Sequence, residues 1–153
     1  MTNGHVDLIK RSAPLFDELI VLIAINTQKT SSWFTVEEKV ALAQQVVGDI
    51  PNVRIEVLKD GLIATYYKDI EASAIVRGVR NATDFDYEYG IDSVNKQQYA
   101  SLETMILFAS EKYRYLSSSL IKEIAFFEGD ISGMVPEVVE KALKLKCKEK
   151  RQK

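Results

Sequence analysis

The sequence predicts an α/β fold, a parallel sheet with helices on both faces. Two observations carry that reading. Short β-branched runs alternate with longer segments of helical spacing, which is the pattern of strand–helix–strand units. The chain has 153 residues, 46% hydrophobic and 27% charged, as expected of one globular domain with a sizeable core. The same balance excludes a disordered chain, a collagen-like fibre and a disulfide-stapled miniprotein.

The strands are expected at 19–25, 53–58, 73–77 and 103–108. The first is unbroken in its apolar character and is expected to be buried on both faces. Helices fall between them. Val6, Ile9, Ala13 and Phe16 share one face of a helix over about 5–16. Val36, Val40, Ala43 and Val47 do the same over about 36–48, where Thr35 and Glu38 form a capping box. Further helices are expected near 62–70, 82–97, 118–127 and 136–148, with Pro136 in the first turn of the last.

Charge and cysteine content narrow the function. Twenty basic and 22 acidic residues leave a net charge of −2, so no global pull toward nucleic acid is expected. The basic residues do gather in the tail: 141–153 holds seven of them and one acid, while the other 140 residues carry 13 basic and 21 acidic, a net of −8. A solvated last helix explains such a tail, and a nucleic-acid contact needs readers nearby that the tail lacks. A single cysteine cannot form an internal disulfide, which fits a reducing, cytoplasmic setting. The longest apolar run is seven residues, short of the roughly 20 needed to span a membrane. The chain opens with no charged leader and apolar core, so export is not expected.

Five features bear on chemistry. His5 is the sole histidine and lies at an expected helix start, where free N–H groups and the dipole attract anions; a lone histidine is also a common surface residue. Lys29 lies in the loop after the first strand, where its ammonium suits a phosphate or simply water. Arg77-Gly-Val-Arg80 follows the third strand. Its two guanidiniums suit phosphate or carboxylate recognition, and its glycine would let backbone approach a ligand. Strand carboxyl ends are where open α/β sheets bind ligands. Tyr113-Arg-Tyr-Leu-Ser-Ser-Ser119 opens a helix with three hydroxyls, with Lys122 one turn on; serines there serve as anion donors or as caps. Asp84, Asp86 and Glu88 form an acidic patch. It is either solvated or supplies a carboxylate to a nucleotide or, through water, to Mg²⁺. Together they outline a polyphosphate site without a covalent nucleophile beside a base. The chemistry that suits it is phosphoryl or nucleotidyl transfer by positioning and charge neutralisation.

The motifs then resemble a known family. Thr2-Asn-Gly-His5 resembles the T-x-G-H motif of nucleotidyltransferases. Arg77-Gly-Val-Arg80-Asn-Ala-Thr-Asp-Phe-Asp-Tyr-Glu88 resembles the R-G-L-R-x-x-x-D-F-E-Y-E block of the bacterial phosphopantetheine adenylyltransferases. Leu116-Ser-Ser-Ser-Leu-Ile-Lys-Glu123 and Gly129-Asp-Ile-Ser-Gly-Met-Val-Pro136 resemble two further blocks of that family. The similarity runs from Thr2 to about Leu145 and implies one Rossmann-like nucleotidyltransferase domain over 1–153. The implied reaction joins ATP to 4′-phosphopantetheine, giving dephospho-coenzyme A and pyrophosphate.

The resemblance also implies roles by position. His5 would stabilise the α-phosphate in the transition state, and Lys29 and Arg80 would act with it in catalysis. Arg80 with Ser117, Ser118 and Ser119 would hold the ATP phosphates. Gly78, Val79, Glu88, Tyr113, Arg114, Tyr115 and Leu116 would line the ATP pocket. Lys29 and Arg77 would grip the phosphopantetheine phosphate, and Ile63 would touch its arm. No protein metal site is implied; Mg²⁺ would accompany ATP and neutralise the departing pyrophosphate. A homohexamer with coenzyme A as a feedback ligand is expected, with neither nucleic acid nor membrane as partner.

One departure stands at the front. The family opens with a strand and a G-[ST]-F-D-P loop, and places that strand centrally in the order 3-2-1-4-5; this sequence has neither. Forfeiting about five buried apolar residues would cost roughly 1.5–3 kcal/mol each, rivalling a whole domain's roughly 5–15 kcal/mol. The expectation is that Met1 is an internal methionine, with about a dozen residues upstream in the native protein. Two alternatives remain at this stage: a related nucleotidyltransferase with another phosphate acceptor, and a weak or silent module that binds nucleotide or coenzyme A. A dinucleotide oxidoreductase is disfavoured, since no G-x-G-x-x-G is present.

Overall fold

A computed structural model describes residues 1–25 and 32–152. Six α-helices and four strands follow in the order α1 (Asn3–Ser12), β1 (Leu19–Ala24), α2 (Val36–Val47), β2 (Val53–Leu58), α3 (Ile63–Asp69), β3 (Ile75–Val79), α4 (Ala82–Gln98), β4 (Thr104–Phe108), α5 (Ser118–Phe126) and α6 (Glu137–Arg151). Short 3₁₀ turns extend α1 and precede α5. The expected elements are all present, with ends moved by at most four residues. The Thr35/Glu38 capping box opens α2 as expected, with Thr35 N–H donating to Glu38 at 2.8 Å. Pro136 stands just ahead of α6.

All strand pairing is parallel. β1 runs beside β2 from Leu19↔Val53 to Ala24↔Leu58, and β3 beside β4 from Ile75↔Thr104 to Val79↔Phe108. These are two two-stranded sheets, and among the described residues each strand is paired along one edge only. That has a consequence for β1. Its residues are half-buried or exposed, not enclosed on both faces as its apolar run suggested, because one edge lacks a strand neighbour.

Helices cover both faces of the β3–β4 pair. Side chains alternate across a strand, so Arg77 and position 78 point oppositely. Arg77 meets Glu88 of α4. On the other side, a Cβ at Gly78 would come within 2.8 Å of Leu8 of α1. The glycine therefore lets α1 seat on the strand; the space expected for a ligand is taken by Leu8.

α1 also braces the two strand pairs. Asn52, just before β2, donates through Nδ2 to the carbonyls of Ala13 and Phe16 at 2.7 and 2.9 Å. Arg11 donates to the Phe108 carbonyl at 2.8 Å, and Ser110 to Asp7 at 2.6 Å, tying α1 to the end of β4. The main buried cluster lies away from the strands. Leu116, Ile121 and Ala125 meet Ile131, Val135, Val139, Leu143 and Cys147, with Trp33 and Phe34 packed against them. A smaller cluster joins Ala64, Tyr67 and Leu102 under α3. No described helix is long and apolar enough to cross a membrane.

Candidate active site

The N-terminus of α1 is built around His5. Thr2 is the N-cap, and His5 occupies the third helical position of a capping box, a place more often filled by Glu or Gln. The Thr2 backbone N–H donates to His5 Nδ1 at 3.1 Å, and the Thr2 hydroxyl lies 2.8 Å from the same atom. Nδ1 is thus an acceptor, and the neutral ring carries its proton on Nε2. The motif's first threonine sets the tautomer of its histidine. Sequence reading missed this role because it started the helix at residue 5; a threonine three residues before a ring nitrogen acceptor was the available signal.

The ring retains an exposed edge, yet protein packs closely round it. Burial first, then the N-terminal ammonium and Arg80, push its pKa down from 6.5 to about 4. The depression has a definite sign. Between about 4 and 6.5 the folded state binds fewer protons than the unfolded chain, so this group's contribution to stability is lost as pH falls through that window. The sole imidazole NMR resonance is expected to titrate near 4; a midpoint at 6.5 would show a ring free in water.

Neighbouring segments hold this helix start in place. Asn3 N–H donates to the Met134 carbonyl at 2.9 Å, and its side chain to the Gly133 carbonyl at 2.7 Å. The Gly129–Pro136 block therefore fastens the T-x-G-H turn. A Cβ at Gly4 would lie 3.5 Å from that of Tyr113, so the turn before α5 abuts the same spot.

Arg80 joins three segments. Its Nε and Nη2 grip Asp84 at 2.7 and 2.9 Å, and its Nη1 donates to the Leu116 carbonyl at 2.8 Å. Its own carbonyl accepts from Arg114 Nε at 3.1 Å. Among the described residues three of five guanidinium N–H groups are committed, leaving two for a ligand. Asp84, held below the usual carboxylate range chiefly by its hydrogen bond to Arg80, has both oxygens occupied. Among the described residues its carboxylate is held by Arg80, through both the guanidinium and the backbone N–H.

The expected ATP residues converge in part. Val79, Arg80 and Arg114 line a cavity of about 550 Å³ together with Phe85 and Phe108. Ser117 caps α5, its hydroxyl accepting from Leu120 N–H at 3.1 Å. Ser118 and Ser119 sit exposed in the first turn. Leu116 turns its side chain into the core, so it meets the site only through its backbone. Tyr113 is half-buried and Tyr115 exposed. Gly78 faces Leu8, as described.

Two of the expected acceptor residues, Ile63 and Arg77, lie together. Ile63, Arg77 and Glu88 line one small cavity with Asp92 and Asn95. Arg77 Nε donates to Glu88 at 2.6 Å, so Glu88, expected beside ATP, is paired with Arg77 among the described residues. Lys29 lies outside the described residues.

Comparison with known proteins shows the family. A family model described as cytidylyltransferase-like matches residues 1–124. The phosphopantetheine adenylyltransferase of Thermodesulfovibrio yellowstonii is 45% identical over 97% of this chain and 91% of its own length. The protein of that name from Caldanaerobacter subterraneus is 47% identical with the same coverage, and that from Levilactobacillus brevis is 44% identical over 94% and 88%. A tautomer-fixed histidine on a helix start, two braced arginines at a strand end and an overall likeness of this extent lead to one conclusion: the chain belongs to the phosphopantetheine adenylyltransferase family of cytidylyltransferase-like nucleotidyltransferases.

Proposed function

We propose that this chain transfers the adenylyl group of ATP to 4′-phosphopantetheine, forming dephospho-coenzyme A and pyrophosphate in the cytoplasm. The observation that carries the reading is the neutral His5 ring, its Nε2–H left as a donor by Thr2 and close enough to Arg80 to feel its charge. The acceptor's phosphate oxygen attacks the α-phosphorus of ATP. A new P–O bond forms, the bond to the β-bridging oxygen breaks, and pyrophosphate departs with its electrons. Negative charge grows on the α-phosphate oxygens at the crossing point. A fixed neutral donor meets that charge at no reorganisation cost. The protein never bonds to either substrate.

Arg80 and the first turn of α5 would hold the ATP phosphates, and Val79 and Arg114 the wall beside them. Arg77, Ile63 and Lys29 would receive phosphopantetheine. Mg²⁺ enters as the counter-ion of ATP, since Asp84 and Glu88 are both taken by arginines. Coenzyme A, sharing the acceptor's arm, would compete as a feedback ligand. A homohexamer is proposed too. α4 has no fully buried residue and leaves Phe85, Tyr87, Tyr89 and Val94 exposed, an apolar surface suited to other copies. Light scattering at the mass of six chains is the expected result.

The direct test is pyrophosphate release with ATP and each acceptor in turn. Phosphopantetheine is expected to support release, and nicotinamide mononucleotide and glycerol phosphate are not. Coenzyme A binding without any release would instead mark a silent module. A finer expectation concerns the serines. Ser118→Ala should raise the KM for ATP only about two- to fivefold, the worth of one ordinary hydrogen bond. Ser117→Ala should lower stability by about 0.5–2 kcal/mol through loss of the cap. No kinetic effect at Ser118 would leave the run a capping device.

A further inference from the structure

We infer that the bond between Ser110 and Asp7 aims His5. It fixes the rotation of α1 on the β3–β4 pair, which makes Asp7 a positioning residue for adenylyl transfer. The role rests on the function proposed above.

Helix α1 meets the β3–β4 unit along one stripe. Gly4, Asp7, Leu8 and Arg11 recur at the spacing that puts residues on one face of a helix. Each has its own partner. A Cβ at Gly4 would stand 3.5 Å from that of Tyr113, and one at Gly78 would stand 2.8 Å from Leu8. Ser110 donates through Oγ to Asp7 at 2.6 Å. Arg11 donates to the Phe108 carbonyl at 2.8 Å and to Asp7 at 3.3 Å. His5 lies about 100° round the axis from Gly4, at the edge of the stripe. The seating of the stripe therefore decides where the ring points.

The four contacts are unequal in what they fix. Those at Gly4 and Leu8 are van der Waals contacts and carry little direction. They set how closely α1 approaches and tolerate small turns. Arg11 is long and 41% exposed, so it follows the helix. The Ser110–Asp7 bond has the short length of a hydroxyl bonded to a carboxylate, and it joins two short side chains. Its direction is what stops α1 from turning. A turn of about 10° carries a side-chain tip some 5–6 Å from the axis through about 1 Å. A misplacement of that size costs up to about 10²-fold in rate.

Ser110 is itself anchored beside the nucleotide cavity. The preceding Ala109 N–H donates to the Val79 carbonyl at 2.9 Å, and the Ser110 carbonyl accepts from Tyr113 N–H at 2.8 Å. The Ser110 hydroxyl caps nothing in the turn it opens, so its removal leaves that turn intact. Ala109 and Glu111 line the cavity proposed for ATP, and Ser110 between them turns to Asp7. The bond thus joins the histidine's helix to the cavity wall without being part of the nucleotide's grip.

Ser110→Ala is expected to slow single-turnover pyrophosphate release about five- to thirtyfold, with the Kd of ATP and of phosphopantetheine each within about twofold. Ser110→Thr, which keeps the hydroxyl, should restore the rate. Asp7→Ala breaks the same bond from α1 and should give the same pattern, which covers a first variant that fails to fold. His5→Ala with Ser110→Ala should be no slower than His5→Ala, because the bond acts through the ring. The imidazole titration, expected near 4, should rise in Ser110→Ala as the ring leaves Arg80. An unchanged rate, a loss added on top of His5→Ala, or an unmoved titration would overturn the role. If the unaltered protein releases no pyrophosphate, the proposed function falls and this role with it. Failure of the role alone appears as equal release by the unaltered protein and Ser110→Ala.

Discussion

His5→Ala is expected to lower turnover about 10²- to 10³-fold, the usual cost of removing one preorganised donor from a developing anion, while leaving the Kd for ATP nearly unchanged. The split between the two quantities is the point. In the ground state the α-phosphate charge is spread over its oxygens. The Nε2–H contact gains strength only as charge builds at the α-phosphorus, so it acts on kcat. Thr2 provides a second handle on the same atom. Thr2→Val keeps the size and the backbone N–H but removes the hydroxyl 2.8 Å from Nδ1. It should reduce turnover by a smaller factor than His5→Ala and move the imidazole titration, because the ring loses part of what orients it. Pyrophosphate release under single-turnover conditions measures both variants. Unchanged turnover in His5→Ala would refute the role, and a matching loss of ATP affinity would make the ring a ground-state contact.

Much of this was legible in the sequence because it rests on local rules. Helix α2 announces itself through Thr35 and Glu38, and the strands through β-branched runs. His5, Arg77, Arg80 and the three serines were singled out by their places at strand and helix ends, and Arg80 and the serine turn do meet through the Leu116 carbonyl. What stayed hidden depends on partners far away in the chain. That Gly78 makes room for Leu8 needs the docking of α1, some seventy residues earlier. That Asp84 serves Arg80, and Glu88 serves Arg77, needs the angle at which α4 crosses β3; the sequence shows an acidic patch but not what it faces. The half-buried state of β1 follows from its single paired edge, and a strand's own residues cannot reveal how many neighbours it has.

Arg77→Ala is expected to raise the phosphopantetheine Kd about 10- to 100-fold, the range for hydrogen bonds to charged groups, with ATP affinity held within about threefold. The two arginines of Arg77-Gly-Val-Arg80 are unequal in what they have left to give. Arg80 has three donors committed to Asp84 and Leu116, whereas Arg77 has given one, Nε, to Glu88. Among the described residues, four N–H groups of Arg77 remain for an incoming phosphate. Truncation has a second effect: Glu88, with a side chain 15% exposed, would be left beside the proposed acceptor site as an unpaired negative charge. Part of the lost affinity is then repulsion, and a double-mutant cycle separates the parts. Glu88→Gln alone should leave phosphopantetheine binding intact or improved, since it frees Arg77. Arg77→Ala with Glu88→Gln should bind better than Arg77→Ala. If the double variant binds no better, repulsion is absent and the whole effect is the lost contact. If ATP affinity falls selectively in Arg77→Ala, the two arginines exchange places in the mechanism. The same cycle at Arg80 and Asp84 should look different, because there the carboxylate orients a guanidinium that also secures the serine turn. Removing Asp84 should weaken ATP binding, whereas removing Glu88 should not weaken phosphopantetheine binding.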